Sequence, residues 1–425
     1  MDQLRNGAPA KSLEGAKRPC YTTPFGLTSQ FCFCALPIRL DTYRGCAFRC
    51  TYCFARYRGG NLPGDAVSPA DPRSIESTFH RALDSSNSKV STIGQFIRHR
   101  VPIHFGGMSD PLQPAELRYR STETVLRVLD KYQYPTVLST RSTLVVHKPY
   151  IQLLRKITPL VVQFSFSTTD DRIGERLEPR CDPPSVLLKT MEELAGKGIN
   201  VTCRWQPFVP GVSEDSTVFV RRVASTGCKH LAFEHLKLPL ERGNPLWQEL
   251  ISAAGRDLHE EYVRIGAVRD GREYILPWKE KLVRILEVAK CVRASGMTFG
   301  AADNEFQYLS DTDACCSGVD QFPGFQNFFR HQMGYAIRKS RGKGISYEAI
   351  KNEWQPTGSI DRYLNSKTRI GGQAGCKGTL KDHVLARWNS PGAPGSPSTF
   401  FGISVSDKKL SRGNLLYEWE NPREA

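Results

Sequence analysis

The sequence predicts an α/β fold, a partial parallel β/α barrel with a small helical or irregular extension at its C-terminal end. Three observations predict it. Short apolar runs alternate with amphipathic helical stretches from about residue 36 to residue 301, the rhythm of parallel strands joined by crossover helices. A cysteine-rich loop, residues 44–56, directly follows the first of these runs, and the working loops of β/α barrels follow strand C-termini. Beyond about residue 335 the rhythm stops and the composition turns basic and rich in Gly, Pro and Ser. The expected division is a flexible N-terminal arm (1–30), the barrel (31–320) and a basic C-terminal extension (321–425).

The arm is rich in Gly, Pro, Ser, Thr and Lys, with no clear period. Cys32 and Cys34 lie in an apolar strand entry and read as packing residues. Residues 36–40 form the first expected strand. A turn-rich stretch follows over 58–75, then helices over 75–83 and 92–98. The second strand is 101–105. A helix over 121–133 carries Val125, Leu126, Val128 and Leu129 on one side, and the third strand is 135–142. Residues 150–157 are a short helix and 160–167 the fourth strand, where Ser165 and Ser167 alternate with aromatics and share a face. A helix over 184–198 places Leu187, Leu188, Met191 and Leu194 together, closed by Lys197-Gly198. Strands over 199–208 and 231–236 flank a helix over 217–225. Residues 239–276 are expected to be a lid or insertion with polar helices, 280–295 a helix, and 297–301 a last strand. No internal repeat is present.

Cys46, Cys50 and Cys53 stand at C-x3-C-x2-C. Thiolates are soft ligands for iron–sulfur clusters and zinc. One tight loop can aim all three at a single centre. In a four-iron cube three cysteines leave one iron open, as a catalytic centre requires; a closed structural site would show a fourth ligand nearby, and this loop has none. Tyr52 and Phe54 are expected to shield the centre from water. The competing readings are a zinc site, which more often uses two C-x2-C pairs, or three unrelated buried thiols.

The second strand ends in Gly106-Gly107-Met108-Ser109-Asp110-Pro111-Leu112-Gln113-Pro114-Ala115-Glu116. Glycines there let a ligand approach the backbone, and a Ser-Asp pair can accept hydrogen bonds from an ammonium group.

These stretches resemble the radical S-adenosylmethionine (SAM) superfamily, and within it the spore photoproduct lyase-related group, often labelled DNA repair photolyase-like. The resemblance runs from about residue 34 to 240, with a weaker echo to 320. It implies a partial (β/α)6-type TIM barrel. It implies that Cys46, Cys50 and Cys53 hold a [4Fe–4S] cluster whose open iron chelates SAM. Reductive cleavage of SAM then gives a 5′-deoxyadenosyl radical that abstracts hydrogen from a substrate. Gly106, Gly107, Ser109 and Asp110 are implied SAM contacts, with the Ser-Asp pair on the amino group. Arg141 replaces the family's lysine in a Thr-Lys-Ser strand end and is implied to pair with the SAM carboxylate. Ser165 and Ser167 are implied to meet the ribose and methionine portion. The segment 176–180 is similar to the family's Glu-Pro-Arg stretch, with Cys181 directly after it. An external electron donor, such as a flavodoxin or ferredoxin, is implied.

One departure bears on the substrate. In spore photoproduct lyases proper, a cysteine that returns hydrogen to the product immediately precedes the Thr-Ser-Asp form of the second-strand motif. Here Gly107 stands in that place, and no cysteine occurs between Cys53 and Cys181. Thymine-dimer reversal by the family's route is not expected unless Cys181 or another residue substitutes in space.

The composition, 40% hydrophobic and 24% charged over 425 residues, fits a large globular enzyme. No membrane span or signal peptide is read. Thirteen dispersed cysteines do not form a secreted disulfide framework, so a reducing cytoplasm is expected. The formal charge of +15 favours a polyanionic partner such as nucleic acid. Residues 334–425 hold 15 Lys and Arg against 8 Asp and Glu, and this part either grips phosphates or packs on the barrel. Adjacent Cys315 and Cys316, with Cys376 from afar, are a candidate second metal centre; the ordinary alternative is an incidental pair. The rival function is a non-catalytic zinc or iron–sulfur protein that binds nucleic acid.

Overall fold

The computed structural model describes residues 20–28, 30–57, 66–84, 86, 90–240, 245–271, 273–325, 332–340, 343–351, 354, 379–409 and 413–420. Eight strands form the main sheet, in chain order across it: β1 (Phe25–Leu27), β2 (Ile38–Leu40), β3 (Ile103–Phe105), β4 (Thr136–Thr140), β5 (Leu160–Phe166), β6 (Asn200–Phe208), β7 (His230–His235) and β8 (Thr298–Ala301). β2 to β8 are parallel neighbours, and β1 runs antiparallel to β2. Among the described residues β1 and β8 do not pair, so the barrel is open. The α/β class and partial barrel hold. The parallel run has seven strands, ending in the strand expected at 297–301. β1 lies in the expected flexible arm; residues 1–19 of that arm are outside the described residues.

Strand alternation divides the sheet into two faces. On the outer face Val162, Phe164 and Phe166 of β5 join Leu187, Met191 and Leu194 of helix Pro184–Gly196 in one core. Trp205 of β6 stacks on Phe219 of helix Ser216–Ala224, centroids 3.8 Å apart. The inner face mixes polar side chains with Val137 and Val161. Register carries Arg39 to His104 to Val137 to Val161, and Ser165 to Arg204.

The lower part of the inner face is covered from below. Ala35, Leu36, Ala314, Val319, Phe322 and Phe325 pack on Val137 and Val161. The turn Cys315–Ser317 belongs to this floor, and the Cys316 carbonyl oxygen lies 3.1 Å from His230 Nε2. Gly318 follows at φ +58°, where a Cβ would meet the His230 ring at 2.3 Å.

The expected lid differs in character. Its helices, Pro245–Ala254 and Leu258–Ile265, bury Trp247, Leu250, Leu258 and Tyr262 against Leu177, Val209 and Leu236. They are amphipathic rather than polar, because one side closes a second core beside the barrel mouth.

The C-terminal extension packs on the barrel. Helices Met333–Ser340 and Leu380–Trp388 and the hairpin Ile403–Lys409 with Leu415–Trp419 put Met333, Ile337, Leu380, Trp388 and Tyr417 into the same core as Phe31 and Phe33. Much of its basic sequence, with Cys376, lies outside the described residues, as do residues 58–65 of the turn-rich stretch 58–75. No described helix is long and apolar enough to cross a membrane.

Candidate functional site

The cysteine loop leaves the C-terminal end of β2 and is clamped at several points. Gly45 opens it at φ +87°, and a Cβ there would meet the Ala66 carbonyl oxygen at 2.5 Å, so only glycine fits. The Ala47 amide donates to Gln113 Oε1 at 2.8 Å, and Gln113 Nε2 donates back to the Gly45 carbonyl at 3.1 Å. The Cys53 amide donates to the Cys50 carbonyl at 3.1 Å, which draws the last two cysteines into one turn. The Thr51 amide and hydroxyl both donate to the Leu177 carbonyl, at 2.9 and 3.1 Å. Arg56 donates to the Cys50 carbonyl and pairs with Glu249 of the insertion, which also meets Arg49.

The motif after β3 supplies much of this clamp. Gly106 sits at φ +94°, where a Cβ would come within 2.7 Å of both Pro111 and the Ser139 carbonyl oxygen. Ser109 Oγ donates to the Tyr43 carbonyl at 2.6 Å. Asp110 accepts from the Leu112 amide (2.8 Å), Thr140 Oγ1 (2.9 Å) and the Arg141 amide (2.6 Å), tying the ends of β3 and β4 together. Burial nevertheless pushes its carboxyl up to about 6 against those bonds. Glu116, fully buried, accepts from the Tyr43 and Tyr150 hydroxyls and from the Thr122 and Glu123 amides. Asp41, which the sequence reading passed over, holds the Met108 and Ser109 amides at 2.8 and 3.2 Å.

A second cluster stands across the loop. Arg141 is ion-paired with Glu178, their side chains 11% and 1% exposed. Its guanidinium also lies over the Tyr52 ring, 5.5 Å from the centroid, and reaches the Gln206 carbonyl. Glu178 accepts from the Tyr52 hydroxyl and from Ser167 Oγ at 2.7 Å. Cys181 Sγ lies 3.7 Å from Cys50 Sγ. That contact lowers the Cys50 pKa, burial opposes it and the Arg141 cation reinforces it. Burial, then Asp110, raises Cys46, and burial raises Cys53.

Each expected site residue therefore has a definite setting. Cys46, Cys50 and Cys53 share the clamped loop. Gly106 and Gly107 line its edge. The side chains of Ser109, Asp110, Arg141 and Ser167 are engaged with the protein. Ser165 is half-buried on the inner face, with no hydrogen-bond partner among the described residues. Phe54, expected as a shield, is 43% exposed; it opens a helical turn directed outward, and Tyr52 alone of the two aromatics packs inward. The sequence marks Glu178 and Gln113 only as members of motifs and does not mark Asp41, because the partners of all three are remote in the chain.

Three sulfur donors on one clamped loop fit an iron–sulfur cube. Among the described residues no three His, Cys, Asp or Glu side chains gather as a single metal ion would require. A second metal centre at Cys315 and Cys316 finds no support; Cys316 lies in the floor, and Cys315 is described only by its backbone.

Residues 40–222, from the end of β2 through the helix before β7, match the family model of the radical SAM superfamily. This stretch is similar to radical SAM domains. Curated relatives include uncharacterized proteins of Mycobacterium tuberculosis (strain ATCC 25618 / H37Rv) and Mycobacterium bovis, each 24% identical over 191 residues, 42% of this chain and 52% of the relative. The chain thus spans about half the length of the curated relatives it matches. Among solved structures, a spore photoproduct lyase mutant with bound AdoMet and dinucleoside spore photoproduct is similar at TM-score 0.47 and 12% identity, over 62% of this chain and 76% of that one. Streptococcus suis SuiB bound to S-adenosylmethionine is similar at TM-score 0.40 and 11% identity, over 63% of this chain and 51% of that one. Within the matched stretch the cysteine loop and the motif after β3 both stand at the mouth of the barrel.

Proposed function

We propose that this chain is a radical SAM enzyme in which Cys46, Cys50 and Cys53 hold a [4Fe–4S] cluster. The cluster supplies the electron for reductive cleavage of SAM. The residues around it position and enclose the reactants. Gly106 and Gly107 offer a rim without side chains, against which SAM can lie. Ser165 is the inner-face hydroxyl open to the methionine or ribose. Ser109, Asp110, Arg141 and Ser167 act through the loops they hold, since their side chains already have partners. Arg141 also places a cation beside Cys50 and Cys53, which favours the thiolates that metal binding requires. The observation that carries the reading is the clamped three-cysteine loop at the mouth of a barrel similar to radical SAM domains.

The substrate class belongs to the same proposal: nucleic acid or a nucleotide, acted on by lyase or modification chemistry related to that of DNA repair photolyase-like proteins. The basic charge supports it. The enzyme works in a reducing cytoplasm with a flavodoxin- or ferredoxin-like donor. Cys181, whose sulfur lies 3.7 Å from Cys50 Sγ, is a thiol that returns hydrogen from a place that Gly107 cannot.

The test is anaerobic reconstitution of the full chain, with iron and sulfide quantified and SAM plus dithionite added. About four irons per chain and 5′-deoxyadenosine are expected. Alanine at Cys46, Cys50 or Cys53 should abolish both, whereas Cys181→Ser should keep the iron. Zinc in place of iron, with SAM untouched, would overturn the reading.

A further inference from the structure

Two arginines stand on the inner face of the barrel outside any ion pair among the described residues. Arg39 is on β2 and Arg204 on β6. Neither is in an ion pair among the described residues, and the Nε atom of each is buried without a hydrogen-bond partner. Both guanidinium groups act on His104 of β3. Burial first, then Arg204 and Arg39, bring that imidazole down to about 3, so it stays neutral. His104 Nε2 and Ser139 Oγ are 2.8 Å apart. The Arg39 side chain runs beneath the Gly106-Gly107 rim, where a Cβ on Gly107 would meet its Cδ at 2.9 Å.

The acids in the neighbourhood are committed elsewhere. Asp41 lies within electrostatic reach of Arg39 but holds the Met108 and Ser109 amides. Glu234 of β7 is paired with Lys237 and bonded by Gln206. The Cys34 thiol below is pushed up to about 12, chiefly by burial, and carries no charge at neutral pH. Burying cations without a counter-charge costs stability. A fold keeps such a pair where a ligand supplies the missing charge.

We propose that Arg39 and Arg204, with His104 beside them on the same face, bind an oxyanion, a carboxylate or a phosphate, inside the barrel. The floor residues Leu36, Val319 and Phe322 block entry from below. The anion therefore enters through the mouth, past the cysteine loop, and the rest of its molecule points back toward that loop. A polymer backbone cannot thread a floored barrel, so the group is a small molecule's anion or a terminal one. Two sources carry this chemistry: the carboxylate of SAM itself, and an anionic group of the substrate. The assignment of the ligand to the reaction rests on the radical SAM reading; the anion site does not.

The test is equilibrium dialysis of the reconstituted full chain with labelled inorganic phosphate and, separately, with labelled SAM. Wild type, Arg39→Met, Arg204→Met, Arg204→Lys and the surface control Arg155→Met are compared. The proposal expects saturable binding of one or both probes, weakened at least about tenfold by either methionine variant, largely kept by Arg204→Lys and unchanged by Arg155→Met. If SAM displaces phosphate, or SAM binding alone falls, the source is the SAM carboxylate. If both bind together, it is a substrate anion. In thermal melting without ligand, Arg204→Met should melt no lower than wild type, because it removes a cation that has no ion pair among the described residues. Unchanged binding of both probes in Arg39→Met and Arg204→Met, or equal loss in Arg155→Met, would overturn the proposal. Phosphate binding does not require the cluster, so a failure of the radical reading is seen separately, in the iron content.

Discussion

Glu178 shows how much one buried carboxylate can hold. It joins Arg141 after β4, Tyr52 of the cysteine loop and Ser167 after β5. Removing only its charge leaves Arg141 buried beside an amide. Glu178→Gln should therefore cost about 3 kcal/mol or more, within the range for breaking a buried pair. Urea denaturation of the metal-free chain measures this, and a loss under about 1 kcal/mol, the worth of an exposed pair, would show that Arg141 finds its counter-charge elsewhere. Arg141 itself was singled out through the family resemblance, as the cation at a strand end. Its partner was not, because 37 residues separate them and only the course of the chain around β5 brings them together.

At the scale of the element, the segment after β3 is a fastener. Ser109, Asp110, Gln113 and Glu116 each reach a different neighbour: the strand end at Tyr43, β4, the cysteine loop and the N-terminus of helix Ser121–Tyr132. Glu116 is suited to the last task, since a carboxylate at a helix start satisfies orphan amides and complements the dipole. Glu116→Ala would strand two amides and two buried tyrosine hydroxyls. At about 1–3 kcal/mol for each unsatisfied buried group, partly relieved by water, a net loss of about 3 kcal/mol is expected. Guanidinium denaturation of the metal-free chain would measure it, and the reconstituted variant should also hold less iron. Full stability in Glu116→Ala would mean that the helix start is satisfied by other groups. The sequence marked this segment as special through its unusual run of Ser, Asp, Gln and Glu around prolines. It could not say that the polar side chains face the protein rather than a ligand.

The whole molecule is closed at the far edge of the sheet by a buried charge network. Asp303, just after β8, accepts from His235 Nδ1 at 2.7 Å, and Lys281 lies 3.4 Å from its other oxygen and 2.6 Å from Glu305. Burial alone would raise Asp303, but Lys281 and then His235 outweigh it and hold the carboxyl well below the usual carboxylate range. A depressed folded pKa stabilises above the unfolded value of about 3.9, and that stability is lost as pH falls through the folded value. Asp303→Asn should thus be less stable than wild type by about 3 kcal/mol near neutral pH, with the gap narrowing below about pH 4. Urea midpoints across that range test it; a gap that stays constant in acid would remove Asp303 as its source. At the same scale, the C-terminal extension shares its core with Phe31 and Phe33, so its helices and hairpin are part of one packed body with the barrel.

The local pattern alone determined the α/β class, the strand and helix sequence and the three-cysteine loop, because side-chain period and ligand spacing are short-range properties of a chain. Only the tertiary structure decided which polar groups meet. It placed Cys181 against Cys50, gave Arg141 to Glu178, folded Cys316 into the floor and left Arg39 and Arg204 on the inner face outside any ion pair among the described residues. β1 was missed for the same kind of reason: Phe25, Gly26 and Leu27 are too few to show alternation, and their strand exists because β2 offers an open edge. Contacts across a barrel join residues far apart in sequence, and no local rule of propensity or spacing encodes them.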